Sequence, residues 1–261
     1  MSVTPKSIWL IGGTSDSATI AHFLAESNLP CVVTVTTSAA QKLYKHKHLP
    51  VVVGCMDIAA MRGFCRQYQI AAIVDASHPY AIAVSRQAIA VSSQLNLTYL
   101  RYERASLPEL TNNNAARVLK LKSFEDLLAG NYLTGERVLL TVGCKALPLF
   151  QSWHQQATLF ARILPKLTSL ETAIAAGFTS DRLVAIRPPI TVEMETALWQ
   201  QWQISLVVTK ASGVAGGEDI KRQVAANLDI PLVIIARPQI LYPQQTSDIN
   251  RLLDFCWRSL L

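Results

Sequence analysis

Apolar residues in this chain are gathered into many short, β-branched runs, and glycine, proline or hydroxyl residues close almost every one. Runs of this kind fall at residues 8–11, 31–37, 51–53, 70–75 and 98–101, and again at 117–121, 137–141, 158–163, 183–186, 204–208 and 232–236. They read as continuous apolar stretches rather than as alternating ones, which is the pattern of strands covered on both faces. None approaches the roughly 20 residues that a bilayer-spanning helix needs. Helical periodicity fills the intervals at 15–27, 57–68, 79–95, 192–202 and 218–228, with Asp57 as an N-cap and Pro79 in a first turn. A last helix is expected over 247–260.

Strand and helix alternate throughout, so the expected class is α/β, with mainly parallel sheets and helices on both faces. The punctuation at 106–115, with Pro108 and the run Asn112-Asn113-Asn114, marks a linker. Two Rossmann-like lobes follow, over 1–105 and 116–245, with a ligand cleft expected between them. The terminal segment 246–261 is a C-terminal helix in this reading, a candidate for packing back on the first lobe.

Of the 261 residues, 50% are hydrophobic, while 24 Lys and Arg against 18 Asp and Glu leave a net charge of +6. The basic residues are scattered and form no nucleic-acid signature, so a positive site steering an anionic small molecule accounts for them. The opening MSVTPKSIWLIGG has too short an apolar core for a secretory signal, which points to the cytosol. Cys31, Cys55, Cys65, Cys144 and Cys256 show neither a CxxC pair nor metal-ligand spacing. His46 and His48 form an HxH in a lysine-rich loop with no carboxylate close in sequence, so no metal site is expected.

The first run ends in Gly12-Gly13-Thr14-Ser15 and leads into a helix. Glycines there allow backbone N–H groups to approach a diphosphate, and the helix N-terminus adds donors and a favourable dipole. The third glycine of the GxGxxG pattern is missing, and a plain tight βα turn is the competing reading. The second run ends in Thr36-Thr37-Ser38 and carries no acid, with Lys42 and Lys45 following. Hydroxyls and lysines suit the 2′-phosphate of NADPH, where an NAD site would place a carboxylate; strand capping is the alternative use of the hydroxyls. Ser77-His78-Pro79 closes the fourth strand, where ligands collect in open α/β sheets. His78 is therefore a candidate contact or a turn residue, and no catalytic acid stands out.

In the second half, Lys210-Ala211-Ser212-Gly213 and Gly216-Gly217, followed by Lys221, offer an anion two ammonium groups, backbone donors and a helix N-terminus, with a flexible βα connection and solvated lysines as the competing reading. The Gly-Lys-Ser/Thr ending of a Walker loop is absent. Arg101 and Arg104 are candidates for clamping substrate carboxylates, with Arg187 either a further one or a salt-bridged surface residue, while Thr141 and Gly143 line the same opening.

The segments LIGGTSDSATIA, VTVTTS, DASHPYA, LRYER, LLTVG, VVTKASG with GGEDIK, and IPLVIIARP, in this order, resemble the precorrin-6A reductase family, including its cobalt-precorrin-6A branch. The resemblance spans nearly the whole chain. It implies a two-lobed α/β enzyme that uses NADPH to reduce one C=C bond of an anionic tetrapyrrole; a monomer or weak homo-oligomer is expected, although the sequence itself does not give the oligomeric state. Two positions depart from the family pattern: Arg187-Pro188-Pro189-Ile190, in place of a Gly-Pro-Phe-like segment, and Ala211, in place of an acid or amide. A short-chain dehydrogenase is disfavoured, because no tyrosine is followed four residues on by lysine. A tetrapyrrole methyltransferase is weaker still. An NADP(H)-binding sensor without chemistry remains the alternative from another class.

Overall fold

The computed structural model describes residues 6–46, 48–108 and 117–261. The linker's Asn112-Asn113-Asn114, the first five residues and the expected lobe boundary at 116 lie outside the described residues. The chain divides into two compact units, 1–105 with 239–261, and 106–238.

The first unit opens with β1 (Ser7–Ile11), α1 (Ser15–Glu26), β2 (Cys31–Val35), a single helical turn α2 (Ser38–Gln41), β3 (Val51–Val53), α3 (Ile58–Gln67), β4 (Ile70–Asp75), α4 (Ile82–Gln94) and β5 (Thr98–Tyr102). The second unit has β6 (Val118–Leu121), α5 (Phe124–Ala129), β7 (Arg137–Thr141), a 3₁₀ segment Cys144–Gln155, β8 (Thr158–Ile163), α6 (Leu167–Ala175), β9 (Leu183–Ala185), α7 (Val192–Gln201), β10 (Leu206–Lys210), α8 (Glu218–Leu228) and β11 (Leu232–Ile235). The chain then returns to the first unit with β12 (Gln245–Thr246) and α9 (Ile249–Leu260).

Among the described residues each sheet has six strands, and every pairing is parallel. The first sheet runs β3-β2-β1-β4-β5-β12, and the second β9-β8-β7-β10-β11-β6. Both therefore have the order 3-2-1-4-5 with a sixth strand at the far edge, which is the doubly wound arrangement. The sixth strand differs in origin. In the first sheet it is β12, from the end of the chain, and in the second it is β6, which precedes all the others.

Alternation along each strand explains the continuous apolar runs. Ile8 and Leu10 of β1 enter one core with α1 and α9, and Trp9 and Ile11 enter the other with α3 and α4. In β7, Val138 and Leu140 face one core and Leu139 the opposite one. Helix α9 contributes Leu252 and Cys256, both fully buried against β1, β4 and α1 residues. Burial of a side chain such as Leu252 is worth roughly 1.5–3 kcal/mol.

Several local features differ from the sequence reading. Pro79 lies in a turn rather than in a first helical turn, because α4 begins at Ile82. Residues 239–245, assigned from sequence to the second lobe, run with the first unit, where Gln245 pairs with Arg101. The strand expected at 204–208 begins at Leu206 and extends to Lys210. Among the described residues no helix is long and apolar enough to cross a membrane.

Candidate functional site

In each sheet the strand order reverses beside the first strand of its winding, and adjacent loops leave that point in opposite directions. A crevice opens there, beyond the carboxyl ends of the strands. In the first sheet the point lies between β1 and β4, so Gly12-Gly13-Thr14 and Asp75-Ala76-Ser77 are brought together. Thr14 Oγ1 donates to the Ala76 carbonyl at 3.0 Å and ties the two loops. Thr14 is also the N-cap of α1, in a reciprocal arrangement with Ser17: Ser17 N donates to Thr14 Oγ1, and Thr14 N to Ser17 Oγ, both at 3.0 Å. Gly13 and Ser15 are exposed at the helix N-terminus.

Tyr44, which follows α2, covers this turn. Its hydroxyl accepts the Gly13 N–H at 2.8 Å and lies 2.6 Å from Ser17 Oγ. A Cβ added to Gly12 would stand 2.2 Å from that hydroxyl, so a side chain there would displace Tyr44 from the turn. Burial raises the Tyr44 pKa above that of a free phenol, an effect opposed by the bond to Ser17.

At the end of β2, Thr36 and Ser38 are exposed, as are Lys42 and Lys45. Thr37 caps α2 by accepting the Ala40 N–H at 3.2 Å. The HxH loop does have a carboxylate neighbour, in correction of the sequence reading. Helix α1 brings Glu26 to His46, with Nε2 and Oε1 3.3 Å apart.

Asp75, at the end of β4, is fully buried and is the hub of the fourth-strand loop. Its carboxylate accepts from Ser85 Oγ at 2.5 Å, Tyr99 Oη at 2.7 Å, Ser77 N at 3.0 Å and Arg101 Nη1 at 3.0 Å. The same Arg101 nitrogen donates to Ser77 Oγ at 3.1 Å. Arg101 is 1% exposed, so the carboxylate clamp expected of it is turned inward. The reason is register: Arg101 on β5 stands beside Asp75 on β4. Arg104 pairs with Asp16 of the first turn of α1 at 2.8 Å, which sets it beside the β1 turn. His78 is exposed, with Nδ1 3.3 Å from the Tyr80 N–H, and Pro79 is buried.

In the second sheet the reversal lies between β7 and β10, so Thr141 and Gly143 flank Lys210, Ser212 and Gly213. Thr141 Oγ1 donates to the Val208 carbonyl at 3.2 Å. The Lys210 ammonium stands 5.5 Å from the centre of the Phe124 ring, and burial lowers its pKa from the ordinary lysine value. Gly213 N donates to Glu218 Oε2 at 2.8 Å, while the other Glu218 oxygen accepts from Arg222 at 2.6 Å. Lys221 is a further correction. The residue is 2% exposed, and its ammonium donates to the carbonyls of Gly216 and Gly217, each at 2.9 Å. Burial, followed by the charge of Arg162, brings its pKa down to about 8. It closes the loop from beneath. A Cβ on Gly216 would meet Ser212 at 2.1–2.2 Å, so that glycine is needed for the loop to fold on itself.

Residues 7–257 match the family described as precorrin-6x reductase CbiJ/CobK. The chain belongs to this family. A curated relative from Synechocystis sp., named cobalt-precorrin-6A reductase, is 46% identical over 254 residues, covering 97% of each chain. A relative of the same name from Priestia megaterium is 32% identical over 238 residues, covering 90% of this chain and 92% of its own. The solved structure of CobK precorrin-6A reductase superposes with a TM-score of 0.78 at 21% identity, over 97% of each chain, and so shares the fold.

Three residues of this CbiJ/CobK family member escaped the reading of its sequence. Asp75 was visible as the only charge closing an otherwise apolar strand, but its partners were not. Tyr44 carried no signal, since only folding brings it 31 positions back to Gly13. Arg237, just beyond β11, donates to the Ala211 carbonyl at 2.9 Å and so braces the start of the second glycine loop. Arg187, a candidate clamp, is exposed.

Proposed function

We propose that this chain reduces one carbon–carbon double bond of cobalt-precorrin-6A, with NADPH as the reductant, and that metal-free precorrin-6A is the alternative acceptor. The observation that carries the reading is the relative named cobalt-precorrin-6A reductase, 46% identical across 97% of both chains. The relative named precorrin-6A reductase from Rhodococcus erythropolis is 27% identical, which favours the cobalt form.

The residues of the first unit fit a dinucleotide. In this reading Gly12, Gly13, Thr14 and Ser15, with the N-terminus of α1, receive the diphosphate. Thr36, Ser38, Lys42 and Lys45 are exposed where a 2′-phosphate would need donors and positive charge, and residues 36–45 carry no acid to repel it. Ser77, His78 and Pro79 line the opposite side of the switch point. Nicotinamide, when bound, supplies the hydride. The protein's own part is positioning. The hydroxyl of Thr141, the backbone of Gly143 and Gly213, Ser212, and the Lys210 ammonium face an anionic macrocycle arm, in keeping with the net charge of +6. Gly216, Gly217 and Lys221 shape that loop, and Arg101 and Asp75 hold Ser77 in place. A proton from solvent completes the two-hydrogen gain. The work is cytosolic in this reading, done by a monomer or weak homo-oligomer, and all five cysteines are free.

The test is to incubate the full chain with NADPH and either form of the substrate under anaerobic conditions, following NADPH loss and macrocycle mass. We expect one NADPH consumed per two hydrogens gained, fastest with the cobalt form. Tight NADPH binding with no consumption on either macrocycle would instead make the protein a sensor.

A further inference from the structure

Away from the switch points, one side of α1 carries His22 and Glu26, four residues apart and therefore on one helical face. The chain beyond α2 returns to this face and delivers His46. His46 Nε2 lies 3.3 Å from Glu26 Oε1, and the rings of His22 and His46 are 6.2 Å apart between centres. One ligand atom from each of the three residues falls within 4.8 Å of the others. All three side chains are exposed.

We propose that His22, Glu26 and His46 form a binding site for a divalent transition-metal ion of the zinc type. Two neutral imidazoles and one carboxylate are a donor set suited to zinc, with a fourth tetrahedral position left to solvent. Bonds of about 2.0–2.2 Å in that geometry place ligand atoms roughly 3.4 Å apart. The His46–Glu26 separation already meets this, and the exposed His22 ring closes the remainder by a change of rotamer. A surface ion pair between His46 and Glu26 would explain two of the three residues; it gives no reason for His22 to share the point. An open cavity of about 420 Å³, lined by His22 and His46 together with Thr19, Tyr44 and Leu49, adjoins the two imidazoles and leaves room for the solvent ligand. Lys45 also lines this cavity and is exposed, so its ammonium can swing clear of the ion.

The placement has a structural consequence. His46 is two residues beyond Tyr44, the residue that covers the β1 turn, so the ion cross-links the covering segment to α1. Metal binding therefore stabilises the first unit.

The test uses the untagged, metal-free full chain titrated with Zn²⁺ by calorimetry, and with Co²⁺ by its visible spectrum. We expect one ion per chain and a rise in Tm on addition of Zn²⁺. Removal of a ligand in His22→Ala, Glu26→Gln or His46→Ala should weaken binding at least ~10-fold and abolish the Tm rise. Cys55→Ser controls for the exposed thiol and should bind as the parent does. All four positions are on the surface, and circular dichroism of each variant verifies its fold. Absence of stoichiometric Zn²⁺ binding by the parent overturns the proposal. So does binding that survives His46→Ala and His22→Ala, or that is lost in Cys55→Ser alone.

Discussion

The hydroxyl of Tyr44 accepts the N–H of Gly13, the same backbone donor that a dinucleotide diphosphate would use at a βα turn. Tyr44 and a phosphate oxygen therefore compete for one proton. Tyr44→Phe removes the competing acceptor and leaves the aromatic ring in place. Loss of one hydrogen bond is worth about 0.5–1.5 kcal/mol, so the KM for NADPH should fall roughly two- to tenfold. A higher KM in steady-state kinetics would show that the hydroxyl assists the cofactor instead.

Cofactor choice is tested at the end of β2. Thr37→Asp combined with Ser38→Ala keeps an oxygen acceptor at the N-cap of α2, because aspartate caps at least as well as threonine. The new carboxylate repels a 2′-phosphate and accepts from a 2′-hydroxyl. The ratio of kcat/KM for NADPH over NADH should drop by at least about tenfold, which the two cofactors assayed in parallel will report. An unchanged ratio would move the 2′-phosphate away from this strand end.

Asp75 and Arg101 form an ion pair with side chains 0% and 1% exposed. Among the described residues, Asp75→Ala leaves the buried guanidinium with Glu103, at 3.3 Å, as its remaining carboxylate partner. Breaking such a pair from one side costs about 3–5 kcal/mol, and urea unfolding should show a loss of that size. A loss below about 1 kcal/mol would mean that water reaches Arg101.

The two lysines of the second glycine loop should behave differently. Lys210→Ala is expected to raise the KM for the macrocycle severalfold while leaving that for NADPH unchanged. Lys221→Met is expected to act on stability. Folded Lys221 titrates at about 8, whereas its ordinary value is 10.5, so between these values the unfolded chain binds more protons. Stability of the parent, measured against Lys221→Met, should therefore rise with pH from about 8 to about 10.5 and be level below that. Parallel pH profiles of Tm for the two proteins would contradict this.

Much of the fold was legible before any coordinates. Residues 137–141 and 218–228 are the observed bounds of β7 and α8, because β-branched runs and glycine punctuation are local signals. Strand β12 was missed, since two residues carry no periodicity and Gln245-Thr246 is a strand only because Arg101 and Tyr102 lie beside it. The 3₁₀ segment Cys144–Gln155, with Pro148 inside it, likewise has no pattern that distinguishes it from a loop. In the candidate site, both glycine turns were recognisable from composition. The inward turn of Arg101 and Lys221 was not, because sequence records that a residue is basic without recording which partner it meets.

The amino-acid order alone marked most of the segments that become strands and helices and the glycine turns that follow two of the strands, since these depend on neighbours a few residues apart. Packing decided the rest: which strands adjoin, that each sheet takes its edge strand from an opposite end of its winding, and that Tyr44, Asp75 and His46 find their partners. Those contacts join positions 20 or more residues apart. Their free energy comes from burial and charge pairing that exist only once the sheets have formed.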